Sequence, residues 1–257
     1  MTNITTIQLI LKAKIKNVGE WKAVLSAIDE IVEEAMFICN TDGITFRGMD
    51  PTHVSLLDIT FPKSSFEELE SGTTFFGVRT SEFKNIFSSA SDNDTVELQI
   101  EDEGNLRVLI NGTLSMTFTL KLIEKTEANT PVPKVKAKSK VNLNPATLTK
   151  IITNLEKVSE FVTVKALSDR VEFSGRGDIG AAKIDLLKSN PELEGLDSTE
   201  ESMSVYSLEF MAKIIRSIGR ASKSVNMQYS TKSPMHIEFE MPSMTKVGYY
   251  LAPRVES

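Results

Sequence analysis

One cysteine, two histidines and a single tryptophan in 257 residues leave little room for several kinds of chemistry. Cys39 has no second thiol to join, so an intramolecular disulfide is excluded and a reducing compartment suits the chain. It also lacks a neighbouring base that would activate a thiol nucleophile. His53 and His236 stand in no ligand spacing such as H-E-x-x-H, which weighs against a metal or hydrolase site built from Asp50, His53 and Asp58. No stretch approaches the roughly 18 apolar residues of a membrane-spanning helix, and the opening Met1–Ile7 lacks the basic-then-apolar order of a secretory signal. We expect an intracellular protein with no membrane anchor, no metal and no cofactor. The glycosylation-like triplets at Asn3, Asn93 and Asn111 are then coincidences.

Excess positive charge is missing too. Lys and Arg number 29 against 35 Asp and Glu, a net charge of −6. Nonspecific DNA affinity comes largely from pairing cations with phosphates, so a general nucleic-acid coat is disfavoured and any DNA contact must be local.

What is present is a fold pattern used twice. Apolar residues alternate at Val96, Leu98 and Ile100, at Val171 and Phe173, and at Ile237, Phe239 and Met241, which predicts half-buried strands. Four segments have helical spacing instead. The first carries Trp21, Val24, Leu25, Ile28, Ile31, Val32 and Ala35; the second carries Phe83, Ile86, Phe87 and Ala90. The third, Leu148 to Val158, is entered through Asn144-Pro145, an N-cap followed by proline at the first helical position. The fourth carries Met211, Ile214, Ile215 and Ile218. Each half reads strand, long helix, several strands, shorter helix, then three strands, which predicts an α+β protein of two similar domains.

The polar, proline-containing stretch 124–134 has no period and reads as a connector. The expected domains are therefore 1–123 and 135–257. A second polar stretch, 188–201, reads as a long acidic surface loop.

Opposite the apolar stripes lie cations. The fourth helix sets Lys213, Arg216 and Arg220 at spacings of three and four, with Lys223 beyond; the third has Lys150 and Lys157. Lys84 sits on the second helix, Lys22 on the first, and Lys12, Lys14 and Lys16 cluster on the N-terminal strand. Solvated faces carry such residues as a rule, and periodicity alone does not bring four faces together.

Gly175-Arg-Gly-Asp-Ile-Gly180 satisfies the glycine pattern of a dinucleotide fold. That chemistry needs a helix N-terminus directly after the glycines. Ala181–Leu187 reads as a strand, so the glycines predict a tight loop between strands.

Local wording is more specific. Gly48-Met-Asp-Pro-Thr-His-Val-Ser-Leu-Leu57, the Gly175–Gly180 segment and Tyr249-Tyr-Leu-Ala-Pro-Arg-Val-Glu256 occur in order, and with the repeat they resemble sliding clamps of the proliferating cell nuclear antigen family of archaea and eukaryotes over nearly the whole chain. The resemblance implies a two-domain clamp fold, each domain with two helices packed on antiparallel sheets, and a pseudo-sixfold ring of three subunits around duplex DNA. It implies a DNA polymerase processivity factor without catalytic activity, set on DNA by a clamp loader of the replication factor C type. Polymerase, flap endonuclease and DNA ligase are its implied partners, held through short peptides of the PIP-box kind in replication and repair. The alternative is a subunit of a heterotrimeric or checkpoint-type clamp.

Site residues follow from that resemblance. Lys14, Lys22, Lys84, Lys150, Lys213, Arg216 and Arg220 become DNA-facing. A ring that slides should touch phosphates, which look alike at every step, rather than base edges. Asp29, Asn85 and Thr153 stand where better-known relatives often carry cations. The implied partner-peptide pocket is formed by Met49, His53 and Val54, by Thr130 and Val132 of the connector, by Pro234, and by Tyr250, Leu251, Ala252 and Pro253. The implied subunit contacts pair a strand from Thr113 to Lys121, including Phe118, with one from Ala181 to Leu187, including Lys183 and Ile184.

Overall fold

The computed structural model describes residues 10–101, 104–124 and 130–254. Part of the connector predicted over 124–134, namely 125–129, and the opening Met1–Ile7 lie outside the described residues. The chain forms two compact units, one of residues 1–47, 59–129 and 243–245, the other of 48–58, 130–242 and 246–257.

The first half runs β1 (Leu11–Ile15), α1 (Val18–Asp29), β2 (Glu34–Asn40), β3 (Gly43–Met49), β4 (Ser55–Pro62), β5 (Phe66–Ser71), β6 (Thr74–Arg79), α2 (Thr80–Ser88), β7 (Thr95–Ile100), β8 (Asn105–Asn111) and β9 (Ser115–Lys121). The second runs β10 (Ser139–Leu143), α3 (Pro145–Leu155), β11 (Phe161–Ala166), β12 (Arg170–Gly177), β13 (Gly180–Leu187), β14 (Leu193–Ser198), β15 (Ser202–Ser207), α4 (Leu208–Ile218), β16 (Ser224–Tyr229), β17 (Met235–Glu240) and β18 (Lys246–Leu251). The order within one half repeats in the other.

In the first unit, a sheet of order β5-β1-β7-β8-β9 and the neighbours β3-β2-β6 receive α1 and α2. Asn17 caps α1 by accepting the Glu20 amide at 3.0 Å. Trp21 stacks on Phe61 at 4.0 Å and 12°, on Phe87 at 5.7 Å and 15°, and meets Phe66 edge-on. Trp21→Ala should cost about 3–5 kcal/mol of stability, read by chemical denaturation. Trp21→Phe should cost much less, because the buried indole nitrogen meets no acceptor among the described residues and only area is lost. Equal losses in the two variants would refute this account of the core.

In the second unit, β14-β10-β16-β17-β18 continues into residues 55–58 of β4, and a four-stranded sheet runs β13-β12-β11-β15. Asn144 caps α3 at the Ala146 amide, 2.9 Å, with Pro145 at the first turn. The helical core is aliphatic here: Leu148, Ile151, Ile152 and Leu155 of α3 are buried, as are Met211, Ile214, Ile215 and Ile218 of α4.

Three expectations need correction. Helix α1 ends at Asp29, and Ala35 belongs to β2, where Ala35, Phe37 and Cys39 are buried with a period of two. Helix α3 ends at Leu155, so Val158 lies in the following turn. The stretch 188–201 is not all loop, since it holds β14. Its buried leucines, 193 and 196, are three apart, which is not a strand period. A register shift between Asn142 and Leu143 absorbs the extra residue, so that Leu193 faces Leu143 and Leu196 faces Val141. The same irregularity recurs in β5, where Phe66 faces Ile15 and Leu69 faces Ala13 across a shift between Lys14 and Ile15. The repeat therefore extends to its bulges. Among the described residues no helix is long and apolar enough to cross a membrane.

Candidate functional site

A shallow cavity of about 70 Å³ lies in the second unit. One side is the loop between β3 and β4. Asp50 is buried there, and its carboxylate accepts hydrogen bonds from the Thr52 amide at 2.9 Å, the Thr52 hydroxyl, the Val54 amide at 2.9 Å, and the amide and hydroxyl of Ser55. Burial alone would raise this carboxyl's pKa; the hydrogen bonds from Thr52 and Ser55 outweigh it and hold the group below its ordinary value. The turn is tight enough to put His53 at φ 58, the left-handed region, with its Nδ1 3.0 Å from Met49 Sδ.

The other side is the end of β18. Alternation along that strand sends Tyr249 inward, where its hydroxyl donates to the Phe210 carbonyl at 3.0 Å, and leaves Tyr250 half-exposed. Ala252 donates to the Val54 carbonyl at 2.8 Å, which ties the C-terminal segment to the loop. Arg254 anchors it further: its amide donates to the Val205 carbonyl at 2.7 Å and its guanidinium lies 3.9 Å over the Phe161 ring.

Seven pocket residues named from sequence, Met49, His53, Val54, Pro234, Tyr250, Leu251 and Ala252, line this one cavity. Thr130, Val132 and Pro253 do not; the connector reaches it through Pro133. The residues 130–138 form no strand or helix, and Pro133 lacks the N–H that would have drawn it into a ladder. Sequence reasoning also missed Ser55 and Leu56, the start of β4. The Pro-Val-Pro run was the available signal for Pro133.

The cations differ sharply in their partners. In the first unit Lys14 lies 2.5 Å from Glu67, whose hydrogen bond raises the ammonium pKa, and Lys22 lies 3.0 Å from Asp92. Lys84 pairs with Asp29, which also accepts the Thr80 hydroxyl at 2.8 Å. In the second unit Lys213 meets Glu209 at 3.0 Å, one helical turn back, and Arg216 meets Glu156. Lys150 and Arg220 are exposed and have no carboxylate partner among the described residues. Arg220 sits in a 3-10 turn beyond α4 and, with Lys223, lines a cleft of about 310 Å³ against the start of α3.

Among the strands, β9 and β13 are each one of the two outer strands of their sheet, the others being β5 and β15, and both are exposed over most of their length. Phe118 and Ile184 are half-buried, while Lys121, Ala181, Lys183 and Leu187 are exposed. Thr113 is not on β9: it falls in the turn between β8 and β9, because the Gly112 amide bonds the Leu114 carbonyl at 3.1 Å and the ladder resumes only at Ser115. The Asp178-Ile179 turn joins β12 to β13, so the glycines around it close a hairpin. Cys39 is buried and its thiol is pushed up to about 12 by desolvation, which leaves it inert. Among the described residues no group of three or more His, Cys, Asp or Glu could hold a metal ion.

Two family profiles match the chain: proliferating cell nuclear antigen, N-terminal domain, over residues 10–127, and C-terminal domain, over 131–254. A protein of Cenarchaeum symbiosum (strain A) named DNA polymerase sliding clamp is 37% identical over 250 residues, 97% of this chain and 100% of that protein. The crystal structure of PCNA from Thermococcus kodakaraensis superposes with a TM-score of 0.90 at 21% identity, covering 95% of this chain and 100% of that one. A chain of the PCNA2–PCNA3 complex from Sulfolobus tokodaii gives a TM-score of 0.88 at 26% identity, covering 95% and 100%.

Proposed function

The chain belongs to the proliferating cell nuclear antigen family and acts as a DNA polymerase sliding clamp, and from that premise we propose that three copies close a ring around duplex DNA and hold partner proteins by short peptides at the Tyr250 pocket. The observation that carries the ring is the pair of open sheet edges. Strand β9 and strand β13 have seven and eight residues, contain no proline and, among the described residues, present one row of backbone groups that no neighbouring strand pairs. Such an edge is a hazard unless another strand completes it. One chain supplies both of these edges, so pairing β9 of one copy with β13 of the next leaves neither of the two open once the ring closes. Phe118, Lys121, Ala181, Lys183, Ile184 and Leu187 are then subunit contacts. The mass of the chain expressed alone tests this. A trimer is expected; a monomer at micromolar concentration would remove self-assembly and favour the heterotrimeric alternative.

The ring acts without catalysis, inside the cell, on DNA of any sequence. A clamp loader of the replication factor C type opens it, and polymerase, flap endonuclease and ligase dock on it. The pocket suits such partners because an apolar socket of Met49, Val54, Pro234 and Tyr250 accepts aliphatic and aromatic anchors, while nearby backbone groups pair with the peptide chain. Thr130, Val132 and Pro253 flank the socket in sequence and are available to the rest of a bound peptide. Titrating a labelled polymerase-tail peptide into wild type and Tyr250→Ala should show at least about tenfold weaker binding to the variant; equal affinity would remove the pocket from this role.

A further inference from the structure

The face of the sheet that carries Tyr250 holds a second ring that the pocket itself does not use. The β17–β18 register sets His236 directly across from Tyr250 and Glu238 across from Gly248. The imidazole and phenol stack face to face, 4.2 Å apart and 8° from parallel, and the His236 side chain is only 14% exposed. Gly248 makes this possible. A Cβ there would stand 3.0 Å from His236 Nε2 and 3.7 Å from Tyr250 Cε2, so a side chain at 248 would press on both rings. Tyr250 lines the cavity and His236 does not.

We propose that His236 is a positioning residue for the partner pocket: its neutral ring backs Tyr250 and sets that wall, so that peptide binding weakens as the imidazole takes up a proton. This rests on the reading of the cavity as the peptide site.

The charged groups around the ring are few. Glu238 on β17 places Oε1 3.9 Å from His236 Nδ1, and its other oxygen accepts from the Gln228 amide at 3.0 Å. Asp58 on β4 adds a second negative field. Across β16 the direct neighbour is the uncharged Gln228, and on β18 the neighbours are Tyr250 and Gly248. Burial dominates and lowers the imidazole pKa from its ordinary value, with Glu238 and then Asp58 opposing. The ring is therefore neutral in the stacked arrangement at neutral pH, and a proton favours movement toward Glu238 and water.

Linkage fixes the sign. An apolar anchor seated on Tyr250 further covers the stacked pair, so the bound state tolerates an imidazolium less well than the free state. Affinity is then full above the free-state pKa and falls as pH drops through it, levelling off below the bound-state value. The loss approaches about threefold to tenfold, the range of a shift of half to one pKa unit on binding, only once the pH lies below the bound-state value, so the titration runs from about pH 7.5 down to about 4.5.

The test is an anisotropy titration of a fluorescent polymerase-tail peptide with the assembled full chain across that pH range. Wild type should weaken with falling pH. His236→Phe, which keeps a flat ring on Tyr250 and cannot titrate, should bind as wild type does at neutral pH and stay constant. His53→Gln removes the other imidazole, the one in the pocket lining; whatever its affinity at neutral pH, the ratio of its affinities at the two ends of the pH range should equal that of wild type. A His236→Phe profile that still falls with pH overturns the proposal, as does a dependence that disappears in His53→Gln instead. In wild type alone, the titration midpoint of the His236 ring protons followed by NMR should drop when peptide is added; an unmoved midpoint also overturns it. Absence of peptide binding at every pH would sink the pocket reading itself, a result distinct from binding that is merely insensitive to His236.

Discussion

Asp50→Ala is expected to abolish measurable peptide binding at the Tyr250 pocket and to lower the thermal midpoint by about 6–12 °C. The carboxylate is the common acceptor for donors on Thr52, Val54 and Ser55, and these bonds bend the chain so that Met49, His53 and Val54 point at one place. Removing it leaves buried donors of the loop without an acceptor, a loss of about 3 kcal/mol when several net contributions are combined. For a chain of this size each kcal/mol moves the midpoint by about 2–4 °C. His53, held at φ 58, has no further reason to stay in the left-handed region and relaxes the turn.

Asp50→Asn keeps one acceptor oxygen and should fall between the two in both measurements. The pH dependence follows from the sign of the shift. The folded-state pKa lies below the unfolded one, so the stabilisation is complete above the unfolded value of about 3.9 and is lost as pH falls through the folded value. Wild type should thus show an acid-limb loss that Asp50→Ala lacks. Calorimetry and the peptide titration check both claims. Unchanged affinity in Asp50→Ala would show that the loop does not shape the pocket.

Asp50 also illustrates what could be read in advance. The wording from Gly48 to Leu57 pointed to the pocket by resemblance, and the same run set out Asp50 as a metal or hydrolase candidate. That its carboxylate is consumed by local donors is a geometric fact about a five-residue turn, and neither composition nor period carries it. The helices were legible because amphipathic spacing is local, whereas their ends were not: Ile31 remains buried after α1 has stopped, and Ala35 then follows the period of β2. Strand β14 was hidden because a bulge turns its buried period from two into three. Ion pairs were least legible of all. Lys84 and Asp29 are 55 residues apart, and nothing in either helix alone shows that one neutralises the other.

That last point decides which cations matter for DNA. The double variant Lys150→Glu/Arg220→Glu is expected to weaken DNA association more than reversal of Lys14, Lys22, Lys84, Lys213 or Arg216. Each of those five carries its own carboxylate, so a phosphate must displace or share an existing partner and the pair presents little net charge. Lys150 and Arg220 have no such partner among the described residues and meet a phosphate at full charge. Counting one phosphate for each, log affinity for duplex DNA should fall less steeply with log salt by about two, so the wild type's advantage shrinks about tenfold between 50 and 200 mM salt. The measurement is equilibrium binding to a short linear duplex, from whose open ends a ring can slide, so that topological retention does not mask the contacts. Polymerase stimulation by the double variant should fall furthest below that of wild type at the lower salt, while the mass of the assembly stays that of the wild type. Lys84→Glu serves as the contrast: it removes a cation already matched by Asp29 and should leave the salt dependence nearly unchanged. A double variant with the wild-type salt dependence would take the exposed face of α3 and the turn after α4 out of the DNA-facing surface.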